Sequence, residues 1–426
     1  MTKKQLYIII GVIVIIALGF LLASFLISRQ NIGTATEKPN TFANFFPFGQ
    51  NTPNQTTPTN QNQTVTTNVV NVTEGEKFFP ILRQITEKPT AGLFSYNKSG
   101  NTYVEYTEKE TGNIYEVKME DMSATRLSNS LITRVHEAIF GNDGKSVIMR
   151  YVKTNSDSIT SFVLDLSRIN RGVEATTTTP TLPTGKFLAS EILDMKTSSD
   201  AKKIFYITKS GDFNNRTAVG SIFDFQKNTS SDVFLSQFSE WLPVSFDGSA
   251  ALLQTKASQK VPGYLYSFTI KTGNMQKIIG DIKGLTTLPS PDNQKILYSA
   301  STLGGVTLHL YNRKDSSTKD IPIQTLPEKC VWKKDNISIY CAVPNPLPSG
   351  EYPDGWYQGI TSFEDNIWKI DATTGKAISI FVPRSLTNSP IDMTSMILSP
   401  SEDFLFFINK RDSSLWAFDL LNGESE

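Results

Sequence analysis

The feature that most constrains the fold is a two-strand unit that occurs seven times after about residue 77. Each copy has a short apolar run, a polar turn and a second apolar run. β-Branched and aromatic residues dominate the runs, as in half-buried strands, and the short polar residues of the turns tolerate positive φ and bond to the local backbone. The copies are FSYNKSGNTYVEY, IFGNDGKSVIMRY, DMKTSSDAKKIFYIT, LPVSFDGSAALLQT, TLPSPDNQKILYSA, CVWKKDNISIYCAV and MILSPSEDFLFFIN, with turns at Ser99, Asp143, Asp200, Asp247, Asp292, Asp335 and Ser401.

A third strand candidate follows every copy and ends in a charged or glycine-containing turn. These strands are NIYEVKMED, ITSFVLDLSR, GSIFDFQKN, GYLYSFTIKTGN, TLHLYNRKD, NIWKIDATTGK and SLWAFDLLNG. Units of about 40–50 residues, made of short strands without a helical period, are typical of β-propellers. The sequence therefore predicts an all-β fold, a seven-bladed β-propeller over residues 77–426.

The two ends of the repeat region predict how the ring closes. The last copy stops just after its third strand, SLWAFDL, so its blade lacks a fourth strand. The segment KFFPILRQI, residues 77–85, precedes the first copy and belongs to no blade. We expect this segment to supply the outer strand of the last blade.

The amino-terminal region predicts a single membrane-spanning helix over residues 6–28. Residues Leu6 to Ile27 form an uninterrupted apolar or small run of 22 residues, long enough to cross a bilayer core of about 30 Å. Lys3 and Lys4 precede the run, so the positive-inside bias places residues 1–5 in the cytoplasm and the rest of the chain across the membrane. A cleaved signal peptide, the alternative, would have a shorter apolar region and a small-x-small site.

Residues 29–76 are predicted to be a disordered linker, because Asn, Thr, Gln and Pro dominate them and little apolar surface is available for burial. Within this linker, the segment Phe42–Phe48 carries four phenylalanines. It is interpreted either as an anchor for the membrane surface or a partner, or as an apolar patch that rests on the bilayer or on the protein's own domain.

The repeats also carry a family resemblance. SPDNQKILYSA and FDGSAALLQT, the latter followed by GYLYSFTIKTG, resemble the repeats of TolB-like and WD-type propellers and of the propeller domains of prolyl-oligopeptidase-type peptidases. The order of membrane helix, polar linker and propeller is similar to that of membrane-anchored bacterial propeller proteins. The resemblance covers residues 77–426 and implies the fold, which serves proteins of many functions.

Composition and motifs indicate no catalytic centre, metal site or cofactor. Lys+Arg and Asp+Glu are both 41, and this balance argues against a nucleic-acid partner. The chain has two histidines, His136 and His309, which fall on strands of different blades. The G-x-S-x-G elbow that a peptidase of the resembled group would need is absent from the sequence.

The two cysteines predict a disulfide. Cys330 and Cys341 lie equally far from a two-residue turn at Asp335-Asn336. Across such a hairpin they would face each other about 4.5–5.5 Å apart at Cα, which allows a disulfide. Two reduced, buried thiols are the alternative.

The long connection from Pro344 to Asp365 is the candidate binding element. It carries Tyr352, Trp356 and Tyr357 among prolines and glycines. Long loops in compact repeats are usually functional or disordered, and aromatic residues offer large contact area at little rotamer cost. One interpretation is a recognition loop on one face of the ring, and the other is a lid that packs its aromatics onto its own blade.

These features predict a membrane-tethered, extracytoplasmic propeller in the cell membrane that acts as a non-catalytic binding or scaffold module for a protein, peptide or glycan. One alternative is a carboxylate-based hydrolase or lyase acting on cell-envelope polysaccharide. Acids with aromatic platforms in the central channel would favour that enzyme. Another alternative is a TolB-like structural subunit of an envelope complex.

Overall fold

The computed structural model describes residues 79–129, 132–153, 158–167, 171–173, 175, 184–211 and 216–423. The chain divides into two units, Met1–Thr73 and Glu74–Glu426, and the described residues all belong to the second. The predicted membrane helix (residues 6–28) and linker (residues 29–76) lie outside the described residues. Within the described part, no helix has the length and apolar character that crossing a bilayer requires.

The second unit is a seven-bladed β-propeller, which confirms the all-β prediction, and each blade is a four-stranded antiparallel sheet. Blade 1 consists of β2 (Thr90–Lys98), β3 (Asn101–Glu108), β4 (Ile114–Lys118) and β5 (Ser123–Arg126). Blade 2 consists of β6 (Val135–Gly141), β7 (Ser146–Val152), β8 (Ile159–Asp165) and β9 (Gly185–Phe187). Blade 3 consists of β10 (Ile192–Thr197), β11 (Lys203–Ser210), β12 (Thr217–Asp224) and β13 (Thr229–Ser236).

Blade 4 consists of β14 (Trp241–Phe246), β15 (Ala250–Thr255), β16 (Pro262–Thr269) and β17 (Asn274–Lys283). Blade 5 consists of β18 (Thr287–Pro289), β19 (Lys295–Thr302), β20 (Gly305–Asn312) and β21 (Thr318–Ile321). Blade 6 consists of β22 (Cys330–Trp332), β23 (Ser338–Pro344), β24 (Asp365–Asp371) and β25 (Ala377–Phe381). Blade 7 combines β26 (Met393–Leu398), β27 (Phe404–Asn409) and β28 (Leu415–Asp419) with β1 (Leu82–Thr86). Short helical turns are α1 (Asp354–Tyr357), α2 (Leu420–Gly423) and two 3-10 turns at Pro327–Lys329 and Pro383–Ser385.

The second strand of each blade is buried on both faces, and this explains its continuous apolar sequence. In β11, Ile204 and Tyr206 pack toward blade 2, whereas Phe205 and Ile207 pack toward blade 4. Successive side chains of a strand point to opposite faces, so a blade between two neighbours needs apolar residues at every position of its central strand. The hydrophobic core is therefore divided into seven clusters, one between each pair of adjacent blades.

The ring closes through blade 7. β1 pairs antiparallel with β28, with Leu82 opposite Phe418, which confirms that the segment before the first repeat supplies the outer strand of the last blade. The cluster between blades 7 and 1 joins Val104 and Val117 to Phe406 and Leu415. Closure of this kind leaves no free end in the circular array.

The turns between first and second strands use the chemistry that their sequences predict. The Asp247 carboxylate accepts hydrogen bonds from the backbone N–H groups of Ser249 (2.8 Å) and Ala250 (2.7 Å). Burial opposes the charge on Asp247, but these donors outweigh burial and hold its pKa below the ordinary value. Gly248 adopts φ +91, a conformation that glycine takes without steric cost.

A disulfide joins Cys330 on β22 to Cys341 on β23, with an Sγ–Sγ distance of 2.08 Å. The two residues are direct partners in the strand register, with Cα atoms 4.0 Å apart. The bridge therefore ties β22 to β23, and the long Pro344–Asp365 connection begins at the end of β23.

Candidate functional site

One face of the ring carries the candidate functional site. The first strand of every blade begins on this face, and the loops from second to third strands return to it. The Pro344–Asp365 connection is such a loop in blade 6, between β23 and β24. It is here called the lid loop. Because rigid rings present their loops on a broad face, this is where the fold can vary its contacts.

The three aromatic residues of the lid loop have different environments. Tyr352 is fully buried and Trp356 is 4% exposed, whereas Tyr357 is 43% exposed. Tyr352 and Trp356 form a small hydrophobic cluster with Phe363 and Leu326 beneath the loop. Of the three candidate recognition residues, only Tyr357 therefore offers a large surface to solvent, while the other two fix the loop to the propeller as a lid would be fixed.

A buried ion-pair cluster, here called the anchor, lies under the lid loop. The Lys329 ammonium is 2.6 Å from the Asp392 carboxylate and 2.8 Å from that of Asp365, and none of the three side chains is accessible to solvent. Lys329 Nζ also donates to the Met393 carbonyl at 2.7 Å. The loops before β22 and β26 and the start of β24 thus meet at one lysine.

The lid loop is tied to this anchor through Asp392. Trp356 Nε1 donates to both carboxylate oxygens, at 3.1 and 3.2 Å, and the Phe363 backbone N–H donates at 3.0 Å. The Trp356 and Phe363 rings are stacked, and Lys329 Nζ lies 5.1 and 5.0 Å from their centroids. Lys410 of blade 7 donates to the Trp356 carbonyl at 2.7 Å.

The other end of the lid loop is held by blades 4 and 5. Asp354 at the start of α1 accepts a 2.7 Å hydrogen bond from the Gln259 backbone N–H, and Glu351 pairs with Lys260 at 3.2 Å. Ser301 of blade 5 donates to the Tyr352 carbonyl. The lid loop, which belongs to blade 6, therefore contacts blades 4, 5 and 7 on this face.

The two anchor carboxylates are electrostatically different. Burial raises the pKa of Asp365 to about 6, since its Oδ1 atom has no hydrogen-bond partner among the described residues and the nearby charge of Asp392 adds to the effect. Burial also disfavours ionised Asp392, but Lys329 and the donors from the lid loop outweigh it and lower the pKa of Asp392. Of the two carboxylates that share the Lys329 ammonium, Asp365 is therefore the first to be protonated as the pH falls.

The mouth of the central channel lies beside α1. First strands of neighbouring blades contact each other, as β2 with β6 and β10 with β14, so they form the inner ring around the channel. At its rim, the Glu328 carboxylate accepts hydrogen bonds from the Tyr357 hydroxyl and, at 2.9 Å, from Thr286 Oγ1. Burial raises the pKa of Glu328.

A further titratable group of the first strands has a shifted pKa. Burial raises the pKa of Asp194 on β10 to about 6. Desolvation, together with the negative charges of Glu328, Asp354 and Asp194, raises the pKa of Tyr357 well above its usual value. The channel mouth therefore combines acids and an aromatic ring. This is the combination that, on the sequence alone, would favour the alternative of a carboxylate-based hydrolase or lyase.

Exposed aliphatic side chains lie on the lid loop and on neighbouring loops of the same face. Leu303 is fully exposed, Ile360 is 78% exposed and Val261 is 61% exposed. They belong to loops from second to third strands in blades 5, 6 and 4. Together with Tyr357 they offer apolar contact surface on a fixed backbone.

The histidines do not meet. His309 on β20 bonds to Asp320 (2.7 Å) and Thr307 (2.9 Å) in blade 5, whereas His136 lies on β6 in blade 2. Among the described residues, no three His, Cys, Asp or Glu side chains are grouped as metal ligands would be.

Sequence reasoning missed the anchor. The three charged residues come from two loops and the start of β24, and nothing in the local pattern groups them. The sequence feature that could have indicated the anchor is a charged residue among apolar ones, as in Lys329 before CVW and Asp392 in PIDM. Charged residues in such places are seldom buried unless they are paired.

No protein-family model matches the chain, and no curated protein matches it in sequence. Solved structures with the same fold include oligogalacturonate lyase from Vibrio parahaemolyticus, with a TM-score of 0.51, 10% identity and coverage of 79% of this chain and 93% of that one. TolB from Acinetobacter baumannii gives a TM-score of 0.41 at 12% identity, over 76% of this chain and 78% of its own. The β-propeller domain of the trilobed protease from Pyrococcus furiosus gives 0.48 at 12% identity, over 78% and 96%. At such low identity, the similarity to the lyase shows the propeller fold alone.

Proposed function

We propose that this chain is a membrane-tethered, extracytoplasmic β-propeller that binds a protein, peptide or glycan on the lid-loop face and has no catalytic role. The apolar run of residues 6–28 would hold it in the membrane, and residues 29–76 would allow the propeller to stand away from the bilayer. The Cys330–Cys341 disulfide supports an oxidising, extracytoplasmic location.

The observation that carries this proposal is the attachment of the lid loop. A connection of this length would be costly to order upon binding, but here the anchor, Lys410 and the contacts to blades 4 and 5 order it in advance. Pre-ordering a loop removes that entropic cost from association. Tyr357 and Ile360 are thereby presented on a rigid surface.

Cross-linking and mass spectrometry in native membranes test this proposal. Tyr357→Ala and Ile360→Ser are expected to reduce recovery of a partner that the wild-type chain captures. Ile337→Ala is the matched control, because Ile337 is also 43% exposed but lies in the turn between β22 and β23 on the opposite face. Equal recovery from all four proteins would contradict a role for the lid-loop face.

A second candidate function, a carboxylate-based hydrolase or lyase on envelope polysaccharide, is favoured by the channel mouth. Asp194, with a pKa of about 6, could hold a proton near neutral pH, and Glu328 and Tyr357 share a hydrogen bond at the rim. Release of soluble fragments from purified envelope polysaccharide would support this function if Asp194→Asn abolished it. Release that persists in Asp194→Asn would contradict the assignment of Asp194.

A further inference from the structure

We infer that a second site on this face, a cleft beside Trp416, binds a neutral saccharide. The cleft has a volume of about 330 Å³ and lies where β1 joins β28, below the loop that connects blades 6 and 7. This volume falls within the range of about 300–1,000 Å³ for small-molecule sites. The cleft is distinct from the lid loop and goes beyond the function proposed above.

Trp416 provides a flat apolar wall. Its side chain is half-buried and packs against the cluster between blades 6 and 7. Its Nε1 donates to Ser414 Oγ at 2.8 Å, so the ring is held in one orientation and its N–H is already used. What remains for a ligand is the apolar part of the indole, and the C–H face of a sugar ring is complementary to it.

Asn409 provides an oriented donor at the base of the cleft. The residue is 3% exposed, and its Oδ1 accepts hydrogen bonds from the backbone N–H groups of Asp392 (3.1 Å) and Arg411 (3.3 Å). These two donors fix which end of the amide is oxygen. The Nδ2 group makes no hydrogen bond to the described residues, and a ligand hydroxyl in the cleft could accept from it.

The rim supplies further hydrogen-bonding groups. Gln84 and Asn388 line the cleft with exposed amide side chains that make no hydrogen bond to the described residues. Asp412 also lines it, and one of its oxygens is used by Ser414. The amides can donate to and accept from sugar hydroxyl groups, and the carboxylate can accept from them.

The charge of the lining selects among ligand classes. No lysine or arginine is among the described residues that line the cleft, so nothing there would balance a phosphate or an acidic sugar. A peptide, the competing occupant, would instead use the backbone groups of the outer strand β1. Beside aliphatic side chains, the cleft offers an aromatic ring, amides and one carboxylate, which favours the saccharide.

Titration of the full chain with oligosaccharides tests the inference. The probes are cellotriose, chitotriose and maltotriose, with trigalacturonate as an anionic comparison and a neutral hexapeptide as the competing ligand. The detergent must lack a sugar headgroup, because a glycoside detergent would compete. At least one neutral trisaccharide is expected to bind, as measured by calorimetry, and to change tryptophan fluorescence.

Variants assign the binding to the cleft. Trp416→Ala is expected to weaken binding at least about tenfold, and Asn388→Ala and Gln84→Ala, which alter exposed side chains, are expected to weaken it several-fold without changing the melting temperature. Ile337→Ala, which alters an exposed side chain on the opposite face, should leave saccharide affinity unchanged. Absence of binding by every neutral saccharide, binding of the peptide alone, or affinity that is unaffected by Asn388→Ala and Gln84→Ala would overturn the inference.

Discussion

At the scale of the residue, Lys329 is the centre of the candidate site. It is fully buried between Asp365 and Asp392 and below two aromatic rings. Transfer of three charges out of water is costly, and the pairing offsets this cost only while all partners remain. The anchor is therefore sensitive to the loss of any one member.

Lys329→Met is expected to destabilise the propeller by about 3–5 kcal/mol, because it leaves two buried carboxylates without their cation. Urea denaturation of the full chain measures the effect. Lys260→Met is the matched control, since Lys260 and Glu351 form an ion pair with side chains 73% and 56% exposed, and exposed pairs contribute little. Similar destabilisation by both variants would contradict the role of the anchor.

Asp365 should make stability depend on pH. Its folded pKa of about 6 is above the ordinary value of 3.8, so the folded state binds more protons than the unfolded state between these values. The resulting stabilisation is complete below about pH 4 and is lost as pH rises through about 6. We expect Asp365→Asn to remove this loss, which is on the order of 2–3 kcal/mol.

The measurement compares wild type and Asp365→Asn by urea denaturation from pH 4 to pH 7. Asp194 has the same direction of pKa shift and contributes to both proteins, so it cancels in the difference. A difference that does not change across this range would show that Asp365 does not titrate there.

At the scale of the element, blade 6 combines a disulfide with the lid loop. The Cys330–Cys341 bridge closes a short segment with a sequence separation of 11 and fixes β22 against β23. The same β23 ends at Pro344, where the lid loop starts. The bridge thus stabilises the blade that carries the most extended loop of the face.

The double variant Cys330→Ala, Cys341→Ala is expected to lose about 2–3 kcal/mol of stability, because the unfolded chain is no longer cross-linked. Chemical denaturation with and without reductant measures this. Reductant should destabilise the wild type and leave the double variant unchanged. Two free thiols in the wild type under denaturing, non-reducing conditions would contradict the prediction.

At the scale of the whole molecule, stability depends on closing the ring. Arg83 on β1 pairs with Asp419 on β28 at 3.1 Å and donates to the Met119 carbonyl of blade 1 at 2.9 Å. β1 therefore connects the last blade to the first in addition to completing a sheet. Because each blade packs on two neighbours, an opened ring would expose apolar surface on two blades.

Deletion of residues 77–86 should lower the melting temperature by at least about 10 °C, given that 1 kcal/mol corresponds to about 2–4 °C in domains of roughly 150–250 residues. Differential scanning fluorimetry measures the change. Deletion of residues 52–61, ten residues of the predicted linker, is the control and should have little effect. An unchanged melting temperature after the first deletion would reject the closure argument.

The sequence by itself determined the number of blades, the order of their strands, the closing strand and the register of the two cysteines. All of these depend on local information. Alternating and continuous apolar runs define strands, short polar residues define turns, and the distance from a turn sets the pairing. The membrane helix at residues 6–28 and the linker at residues 29–76 stay predictions of the same local kind.

The tertiary structure alone decided which loop residues are buried and which charges meet. Lys329 and Asp392 are 63 residues apart, and Trp356 is 36 residues from the same carboxylate. Their contact depends on how loops of blades 6 and 7 fold against one another on the same face, and no local pattern in the sequence encodes that arrangement. For the same reason Tyr352 and Trp356, which have the sequence character of exposed binding residues, lie buried beneath their own loop, because neighbouring blades supply the surface that covers them.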